Sequence, residues 1–588
     1  MDLIKKVLHQ PAMNCLAQSL RINVQQLFNI SLPETDFYHQ IVRAPDISLG
    51  HFAFPCFSLA KELKQAPPVL AQKLASLGNF PSVISAAKAT GPYLNFTFTE
   101  IFYGEQILTP IIKGDFFKTH LLNNPPATMI EYSQPNTHKE LHVGHMRNLC
   151  LGNALVRLYR YTGHKVYAVT YPGDVGTHVA KCLWYMKKFN PTGLPTTSKG
   201  AWLGELYSKA NNILEDQVGT PAEAQNRQEL TLILKQLESR RGEYFDLWRE
   251  TREWSIQLMH DVYKWSNVEF DYWFWESDFD SYSLQLAHEY HKLGLYIESE
   301  GAIGMDLSQD GLGFCMIIKS DGTGLYATKD IALAQKKFQS YPIEKSIYIV
   351  DKRQAHHFKQ VFKVLEKLQF SHAKDCYHLQ YDFVELPSGA MSSRKGNIVP
   401  IMALMDQMQE KIKNDFLNKY QSEWTAEEIN QTAKIIANGA IKYGMIRMDN
   451  SRKIVFEMSE WLKLDGETGP YLQYVCARIN SLFLKFPATN LEQSDWSRLN
   501  NPKEIALMAH LSLFNTTTVD ATLSHKTPIL CGYLYDLGKL FNNFYAECAI
   551  GRLDDLKLKQ ARMALTYAVG AVMKQGLALL GIDAPARM

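Results

Sequence analysis

The pattern of apolar and polar positions changes several times along the chain. Up to residue 124, amphipathic helical patterns such as FSLAKELKQAPPVLAQKLASL precede an alternating segment, NFTFT, which follows the turn signal Gly91-Pro92. Helical and alternating patterns in one stretch predict an α+β module over residues 1–124.

From Thr128 onward, strand-like and helix-like segments alternate. TMIEYS and HKVYAVTY have the pattern of strands, and HVGHMRNLCLGNALVRLYRYTG between them has that of a loop feeding a helix that ends at Gly163. Because this order forms a βαβ unit, we expect a parallel sheet. KSIYIVD, HHFKQVFKVLEKLQ and YHLQYDFVEL later resume the alternation and complete the sheet.

Two long stretches have helical periodicity instead. Residues 190–294, which contain LKQLESRRGEYFDLWRETREWSIQLMHDVYKW, interrupt the sheet pattern and predict a helical insertion. From Ile401 to the end, segments such as GPYLQYVCARINSLFLKF and ARMALTYAVGAVMKQGLALLG predict a closing helical bundle.

The composition is that of a globular protein with several cores. The 588 residues are 46% hydrophobic and 21% charged, and single cores rarely grow beyond about 250–300 residues. The net charge of +2 neither requires nor excludes a polyanionic partner. Nine cysteines lie singly, and no apolar run resembles a signal peptide or approaches the length of a membrane span. We therefore expect a reduced, cytoplasmic protein without a membrane segment.

The segment IEYSQPNTHKELHVGHMRN carries the first candidate chemistry. A strand that feeds a loop into a helix places free backbone N–H groups at the carboxyl edge of a parallel sheet, where anions bind. Gly144 would let a nucleotide come close, and the imidazoles of His142 and His145 could donate to phosphate oxygens. Two alternatives stay open from the residues alone: a metal site that includes His138, and ordinary polar residues at a helix start.

Two further segments could contribute to such a site. PSGAMSSRKGN has the sequence of a mobile basic clamp, although a solvated basic turn is the alternative. Tyr326 and Asp330 are four residues apart and would share one helix face, which is either a ligand site or simply exposed. No GxxxxGK[ST] motif occurs, and no GxGxxG motif follows a predicted strand, so phosphate-loop ATPases and dinucleotide-binding proteins are not indicated.

These segments together resemble a known family. PNTHKELHVGH and the later MSSRKGN are similar to the HIGH-type and KMSKS-type signatures of class I aminoacyl-tRNA synthetases. Within that class, EYSQPNTHKELHVGHMRN, YPGDVGTH, LYATKDIA and IVDKRQAHHFKQ resemble arginyl-tRNA synthetases, as do the closing GETGPYLQYVCARI, LYDLGKLFNNFYAEC and LLGIDAPARM. The resemblance implies an α/β multidomain fold: a Rossmann-like catalytic domain with a helical insertion, an α+β tRNA-binding module and an all-α anticodon-binding bundle.

The resemblance also implies domain boundaries and a reaction. The expected domains are an additional tRNA-contacting domain at 1–124, a catalytic domain at 125–400 with its insertion at about 190–294, a helical stem at 401–455 and an anticodon-binding domain at 456–588. The expected activity is that of an arginine–tRNA ligase, which forms arginyl-adenylate and pyrophosphate from L-arginine and ATP and then esterifies the 3′-terminal adenosine of tRNA(Arg). Mg²⁺, tRNA-dependent activation, a monomeric state and the absence of editing are further expectations.

Site residues follow from the same resemblance. The expected catalytic residues are His142, His145, Lys139 and Lys395. The expected ATP-binding residues are Gly144, Asn148, Met391, Ser392, Ser393 and Arg394. The expected arginine-binding residues are Glu131, Ser133, Asn136, Tyr326, Asp330 and Gln354. Candidates for contacts with the anticodon are Tyr471, Tyr474, Arg478, Phe541, Phe544, Tyr545 and Met588. No metal site formed by protein side chains is expected.

The sequence departs from the family pattern at two places. Ala390 and Ser393 stand where a KMSKS-type loop has its two lysines, so we predict that Lys139 and Lys395 supply the missing charge. Val175 stands where the family more often has an aromatic residue. Two other functions remain as alternatives: a cysteine ligase, which would need a zinc-binding cysteine and histidine set, and a catalytically silent RNA-binding relative.

Overall fold

The computed structural model describes residues 10–118, 120–189, 194–387, 389–390, 399–551 and 553–588. The chain divides into two compact units. The terminal unit comprises residues 1–125, 161–163 and 463–588, and the central unit comprises residues 126–160 and 164–462. The described residues before 126 therefore belong to the same unit as those after 462.

The first part of the terminal unit is an α+β module. Its elements are α1 Pro11–Phe28, α2 Glu34–Tyr38, β1 Val42–Arg43, β2 Phe52–Pro55, α3 Phe57–Leu63, α4 Pro67–Leu77, β3 Ile84–Thr90, β4 Tyr93–Phe98, α5 Glu100–Tyr103 and α6 Thr109–Lys113. The strands form an antiparallel sheet in the order β1-β2-β4-β3. Phe54 and Phe96 on the central strands are buried in its core, because alternate side chains of a strand point to one face.

The second part of the terminal unit is helical. It contains α18 Gly469–Lys485, α19 Pro502–Leu511, α20 Phe514–Leu523, α21 Thr527–Glu547 and α22 Leu556–Leu579. Phe541 and Phe544 on α21 are completely buried and belong to the core, so they are not available to stack on bases. Gln10, just before α1, donates through Nε2 to the carbonyl oxygen of Ser512 at 2.7 Å. The two parts of this unit thus contact each other directly.

The central unit contains the predicted parallel sheet. Its strands are β5 Thr128–Glu131, β6 Val166–Thr170, β7 Tyr272–Trp273, β11 Lys345–Asp351 and β12 Cys376–Tyr381, with the antiparallel strands β8 Ile297–Ser299, β9 Ala302–Asp306 and β10 Phe314–Ile318 in a second sheet. The order of the parallel sheet is β12-β11-β5-β6-β7. The α/β fold class is confirmed.

Helices surround this sheet and complete the central unit. They are α7 Val143–Tyr161, α8 Thr177–Phe189, α9 Lys199–Asp216, α10 Ala222–Ser239, α11 Glu243–Ser266, α12 Glu276–Lys292, α13 Tyr326–Ser340, α14 Ala355–Lys367, α15 Ile401–Ile412, α16 Ala426–Ile446 and α17 Met458–Trp461. A small third sheet contains β13 Val384–Leu386, β14 Gly389–Ala390 and β15 Ile454–Val455. None of the described helices combines the length and apolar character needed to cross a membrane.

The predicted helical insertion differs from the observed segment in one respect. Between residues 194 and 294, α9, α10, α11 and α12 are helical as expected, but β7 lies among them as the edge strand of the parallel sheet. β7 has only two residues, both aromatic, and so offers no alternation of apolar and polar positions. The sheet therefore extends into a segment whose sequence indicates helices.

The strand order determines where a ligand can bind. The chain passes from β5 to β6 on one side of β5, whereas β11 pairs with its other side. The crevice between the carboxyl ends of β5 and β11 is therefore a topological switch point, where open parallel sheets bind their ligands.

Candidate active site

A cavity of about 400 Å³ opens at this switch point. Its lining residues are Glu131, Ser133, Gln134, Pro135, Asn136, His145, Asn148, Tyr171, Gly173, Glu276, Tyr326, Lys329, Asp330, Val350, Asp351, Gln354, His357, Phe358 and Tyr381. Most of them come from the ends of β5 and β11 and from the first turns of α7, α13 and α14. Helix starts present unpaired N–H groups, so this edge is suited to anionic ligand groups.

The two histidines at the start of α7 form one hydrogen-bonded pair. The backbone N–H of His142 donates to Nδ1 of His145 at 3.1 Å, and the N–H of Gly144 donates to Nδ1 of His142 at 3.1 Å. The ring centroids are 4.0 Å apart. Because Nδ1 accepts in both rings, the proton of each neutral imidazole is on Nε2. Each ring can therefore donate through Nε2.

Burial keeps both histidines neutral. It lowers the pKa of His142 to about 4, with smaller contributions from the nearby charges of Arg353 and Lys139. The pKa of His145 is held well below its ordinary value, first by burial and then by His142 and Lys139. Both rings thus act as neutral donors at pH 7. His145 lines the cavity, whereas His142 and Gly144 lie just outside its lining.

The histidine segment is paired with the chain that follows the KMSKS-like loop. The N–H of Val143 donates to the carbonyl oxygen of Val399 at 3.0 Å, and the N–H of Ile401 donates to that of Leu141 at 2.9 Å. His142 and Pro400 form the bridge between these bonds. The predicted residues Met391, Ser392, Ser393, Arg394 and Lys395 lie outside the described residues.

Lys139 is in contact with the inserted helix α9. Its Nζ atom is 5.0 Å from the ring centroid of Tyr207, a distance at which a cation is attracted to an aromatic face. Gly204, one turn earlier on α9, packs so closely that a Cβ there would be 2.6 Å from the backbone nitrogen of Glu140. Lys139 does not line the cavity, but its positive charge helps to lower the pKa of His142.

Two carboxylates of the cavity are neutralised by strong bases. Glu131, at the end of β5, pairs with Lys337 at 2.5 Å, and both side chains are buried. Nζ of Lys337 also lies 4.0 Å from the ring centroid of Tyr348. Asp351, at the end of β11, pairs with Arg353 at 2.7 Å. These pairs fix the strand ends but leave little net charge.

A second group of residues at the cavity, on α12 and α13 and called here the acidic wall, keeps an excess of negative charge. Lys329 is shared by Glu276 at 2.8 Å and Asp280 at 2.5 Å, so one cation faces two carboxylates. Asp330 has no lysine or arginine partner among the described residues; Nε2 of His357 lies 2.6 Å from its Oδ2 atom. Burial raises the pKa of Glu276, and Lys329 opposes that shift. This wall is therefore suited to a cationic ligand.

Asn148 orders the loop that follows β5. Its Oδ1 atom accepts from the N–H of Ser133 at 2.6 Å, and its Nδ2 atom donates to the carbonyl oxygen of Ile349 at 2.8 Å. Ser133 has the left-handed φ of 54°, which this hydrogen bond helps to hold. Asn136 forms a bridge with Gly173, where a Cβ would be 2.4 Å from Oδ1 of Asn136. Asn148 thus ties β5 to β11.

The cavity is lined by residues from segments far apart in the sequence. Some of these residues were predicted as site residues and others were not. Of the predicted residues, it is lined by Glu131, Ser133, Asn136, His145, Asn148, Tyr326, Asp330 and Gln354. Tyr326 is 72% exposed at the start of α13. Tyr171, Glu276, Lys329 and His357 were not predicted as site residues. Tyr171, Lys329 and His357 lie within segments that carried the family resemblance, whereas Glu276 had no sequence signal.

His138 and Val175 have structural environments outside the cavity. The ring of His138 is buried between the hydroxyls of Thr137 at 2.9 Å and Thr251 at 2.8 Å, and burial lowers its pKa to about 3. Within the described ranges, no group of three or more His, Cys, Asp or Glu side chains is placed to hold a metal ion. Val175 lines a separate small cleft with Phe245 and Trp248.

Comparison with known proteins decides the family. The family model described as tRNA synthetases class I (R), catalytic domain, matches residues 112–458. Those described as Arginyl tRNA synthetase N terminal domain and DALR anticodon binding domain match residues 14–98 and 472–588. The chain belongs to the arginyl-tRNA synthetase family.

Relatives from this family match along nearly the whole chain. The arginine–tRNA ligase of Bdellovibrio bacteriovorus is 55% identical over 95% of this chain and 96% of the relative. That of Halothermothrix orenii is 31% identical over 96% of this chain and 98% of the relative. The solved arginyl-tRNA synthetase of Thermus thermophilus superposes with a TM-score of 0.79 at 26% identity, covering 99% of this chain and all of the other.

Membership in the arginyl-tRNA synthetase family defines the reaction. The protein is an aminoacyl-tRNA synthetase that joins arginine to tRNA(Arg), with ATP as the energy-supplying substrate. The same matches favour this ligase over both alternatives, the cysteine ligase and the silent RNA-binding relative.

Proposed function

We propose that the cavity holds arginine with its guanidinium against Asp330 and Glu276. The observation that carries this assignment is the unequal pairing of the carboxylates. Glu131 and Asp351 each have a strong base of their own, whereas Glu276 shares Lys329 with Asp280, and Asp330 pairs with His357 alone among the described residues. A permanently charged, planar guanidinium is best held by carboxylate acceptors that still carry net charge.

The remaining arginine-binding residues then surround the rest of the substrate. We assign the α-amino end to Glu131, Ser133 and Asn136, because these residues lie at the end of β5 and in the loop that leads from it to the histidines. Tyr326 and Gln354 would close the pocket from α13 and α14. The buried hydroxyl of Tyr171 has no hydrogen-bond partner among the described residues, and a buried polar atom of this kind favours a polar ligand group.

ATP would lie between α7 and the KMSKS-like loop. We assign the Nε2–H groups of His142 and His145 to the α-phosphate, where negative charge develops as the arginine carboxylate attacks. Removing one well-placed donor from such a site typically costs about 3 kcal/mol, on the order of a hundredfold in rate. Lys139 and Lys395 are assigned to the β- and γ-phosphates, and the other predicted ATP-binding residues of the loop to the same triphosphate.

Two separate replacements test the assignment of charge. Changing Lys139 to Met and Lys395 to Met should each slow adenylate formation at least about tenfold if each cation stabilises the departing pyrophosphate. Unchanged rates in both variants would contradict the idea that these residues replace the lysines of a KMSKS-type loop. Mg²⁺ is expected to arrive with ATP, since it takes most of its ligands from phosphate and water.

Binding of tRNA is assigned to the terminal unit. We propose that residues 1–124 contact the body of the tRNA, that 125–400 catalyse, that 401–455 form a stem and that 456–588 read the anticodon. Arg478 lies over the rings of Tyr474 at 4.8 Å and Tyr545 at 5.4 Å. Aromatic and guanidinium planes of this kind suit unpaired bases.

The overall activity has a direct test. Charging of tRNA(Arg) with each amino acid in turn should yield product with arginine alone, and efficient charging with another amino acid would contradict the proposed pocket. Pyrophosphate exchange with arginine should require tRNA; equal exchange without it would contradict tRNA-dependent activation. We expect a cytoplasmic monomer without hydrolysis of mischarged tRNA, which light scattering and a deacylation assay would check.

A further inference from the structure

His357 is in direct contact with the carboxylate assigned to the guanidinium. Its Nε2 atom lies 2.6 Å from Oδ2 of Asp330, and both residues line the cavity. A carboxylate oxygen only accepts hydrogen bonds, so Nε2 of His357 must carry the proton. The contact joins α14 to α13 and engages Oδ2 of Asp330, so that among the described residues Oδ1 is left for a ligand.

The type of partner distinguishes Asp330 from the other carboxylates of the cavity. Lysine and arginine partners cancel the charge of the carboxylates that they hold, as Lys337 does for Glu131. An imidazole fixes the direction of a carboxylate through a single N–H and, unlike lysine or arginine, carries no permanent charge. Asp330 is therefore oriented by a partner that is not a permanent cation, which leaves it suited to recognition of a guanidinium.

We propose that His357 is a positioning residue for arginine selection, which holds Oδ2 of Asp330 so that Oδ1 faces the guanidinium. This inference rests on the proposed function, in which Asp330 binds that group. The terminal torsion of aspartate is broad, so the carboxylate would rotate without a partner. A rotated carboxylate would lose the directional contact with arginine but would leave ATP binding intact.

A role in packing alone would give a different result. Phe358, the neighbour of His357, stacks on His378 with centroids 4.5 Å apart and contacts Tyr348 at 5.4 Å. This helix thus has its own apolar contacts with the sheet. Loss of a packing residue should lower stability or affect both substrates, whereas loss of a positioning residue should change the KM for arginine selectively.

The experiment compares His357→Leu with His357→Gln in the full-length enzyme, in aminoacylation assays with tRNA(Arg). Leucine lacks a donor, whereas the amide of glutamine can donate from nearly the position of Nε2. His357→Leu should raise the KM for arginine about tenfold and leave the KM for ATP within about twofold. His357→Gln should recover most of that loss.

Asp330→Asn and the double variant Asp330→Asn/His357→Leu complete a double-mutant cycle. Once the carboxylate is gone, the leucine should add nothing further to the KM for arginine. Three outcomes would overturn the positioning role: an unchanged KM for arginine in His357→Leu, a loss that His357→Gln does not recover, or additive effects in the double variant. In each of these cases, a raised KM for arginine in Asp330→Asn would still support the proposed pocket. If Asp330→Asn itself leaves the KM for arginine unchanged, Asp330 does not bind the guanidinium, and the positioning role of His357 is then also wrong.

Discussion

The backbone N–H of Val143 donates a hydrogen bond to the carbonyl oxygen of Val399 at 3.0 Å. Val143 is the first residue of α7, between the two histidines, and Val399 follows the KMSKS-like segment. Two segments far apart in the sequence are thereby joined at the start of α7. This pairing is the structural reason to assign both segments to a single molecule of ATP.

The role of His145 as a neutral donor predicts different effects of two substitutions. Asparagine can reproduce the acceptor Nδ1, which the N–H of His142 needs, whereas glutamine places its amide nitrogen near Nε2. We expect His145→Asn to lower the rate of adenylate formation about a hundredfold, because the donor to the α-phosphate is lost. His145→Gln should retain more activity. Single-turnover measurements that find the asparagine variant as fast as the glutamine variant would contradict a role for Nε2.

The shared ion pair of Lys329 allows a matched test of the acidic wall. Glu276 lines the cavity, whereas Asp280 contacts the same lysine from outside the lining. Glu276→Gln should raise the KM for arginine about tenfold or more, because a desolvated charged hydrogen bond is lost. Asp280→Asn should change it at most a few-fold. Equal effects of the two substitutions would show that the charge acts at a distance and that Glu276 does not contact the substrate.

Close packing at Gly173 predicts that a single methyl group will disturb the pocket. A Cβ there would be 2.4 Å from Oδ1 of Asn136 and 3.1 Å from Oε2 of Glu276. Gly173→Ala should therefore raise the KM for arginine, since both side chains must move. Gly532 on α21 has open space around it, so Gly532→Ala should leave kinetics unchanged and stabilise the helix by about 0.5–1 kcal/mol. Unchanged KM in Gly173→Ala would refute this view of the pocket.

Glu140 predicts a pH-dependent change in stability. Burial, and secondly the nearby Glu205, raise its pKa to about 7. A carboxyl group whose pKa is higher in the folded than in the unfolded protein destabilises the fold as pH rises, because its charged form is disfavoured there. The loss of stability begins near the ordinary glutamate pKa, about 4.3, and is complete above about 7. Glu140→Gln should therefore raise Tm relative to the unchanged protein clearly more at pH 8 than at pH 5. Glu140 is only partly buried, so screening limits the gain. An equal Tm difference at both pH values would exclude this cause.

The sequence predicts some parts of the molecule well because their signal is local. The long helices and four of the five strands of the parallel sheet have clear patterns, and the residue types between Glu131 and Asn148 indicate the chemistry of that segment. β7 was not predicted, because a strand of two aromatic residues shows no alternation of apolar and polar positions. The pairing of Glu131 with Lys337, and of Asp330 with His357, depends on how α13 and α14 pack on the sheet. No local pattern encodes such a contact.

A crystal structure of the enzyme with a non-hydrolysable arginyl-adenylate analogue tests the account most directly. The guanidinium should lie within about 3 Å of carboxylate oxygens of Asp330 and Glu276, with the group that replaces the phosphate at a similar distance from Nε2 of His145. A guanidinium bound instead to Glu131 or Asp351, or a phosphate mimic remote from the histidine pair, would contradict it.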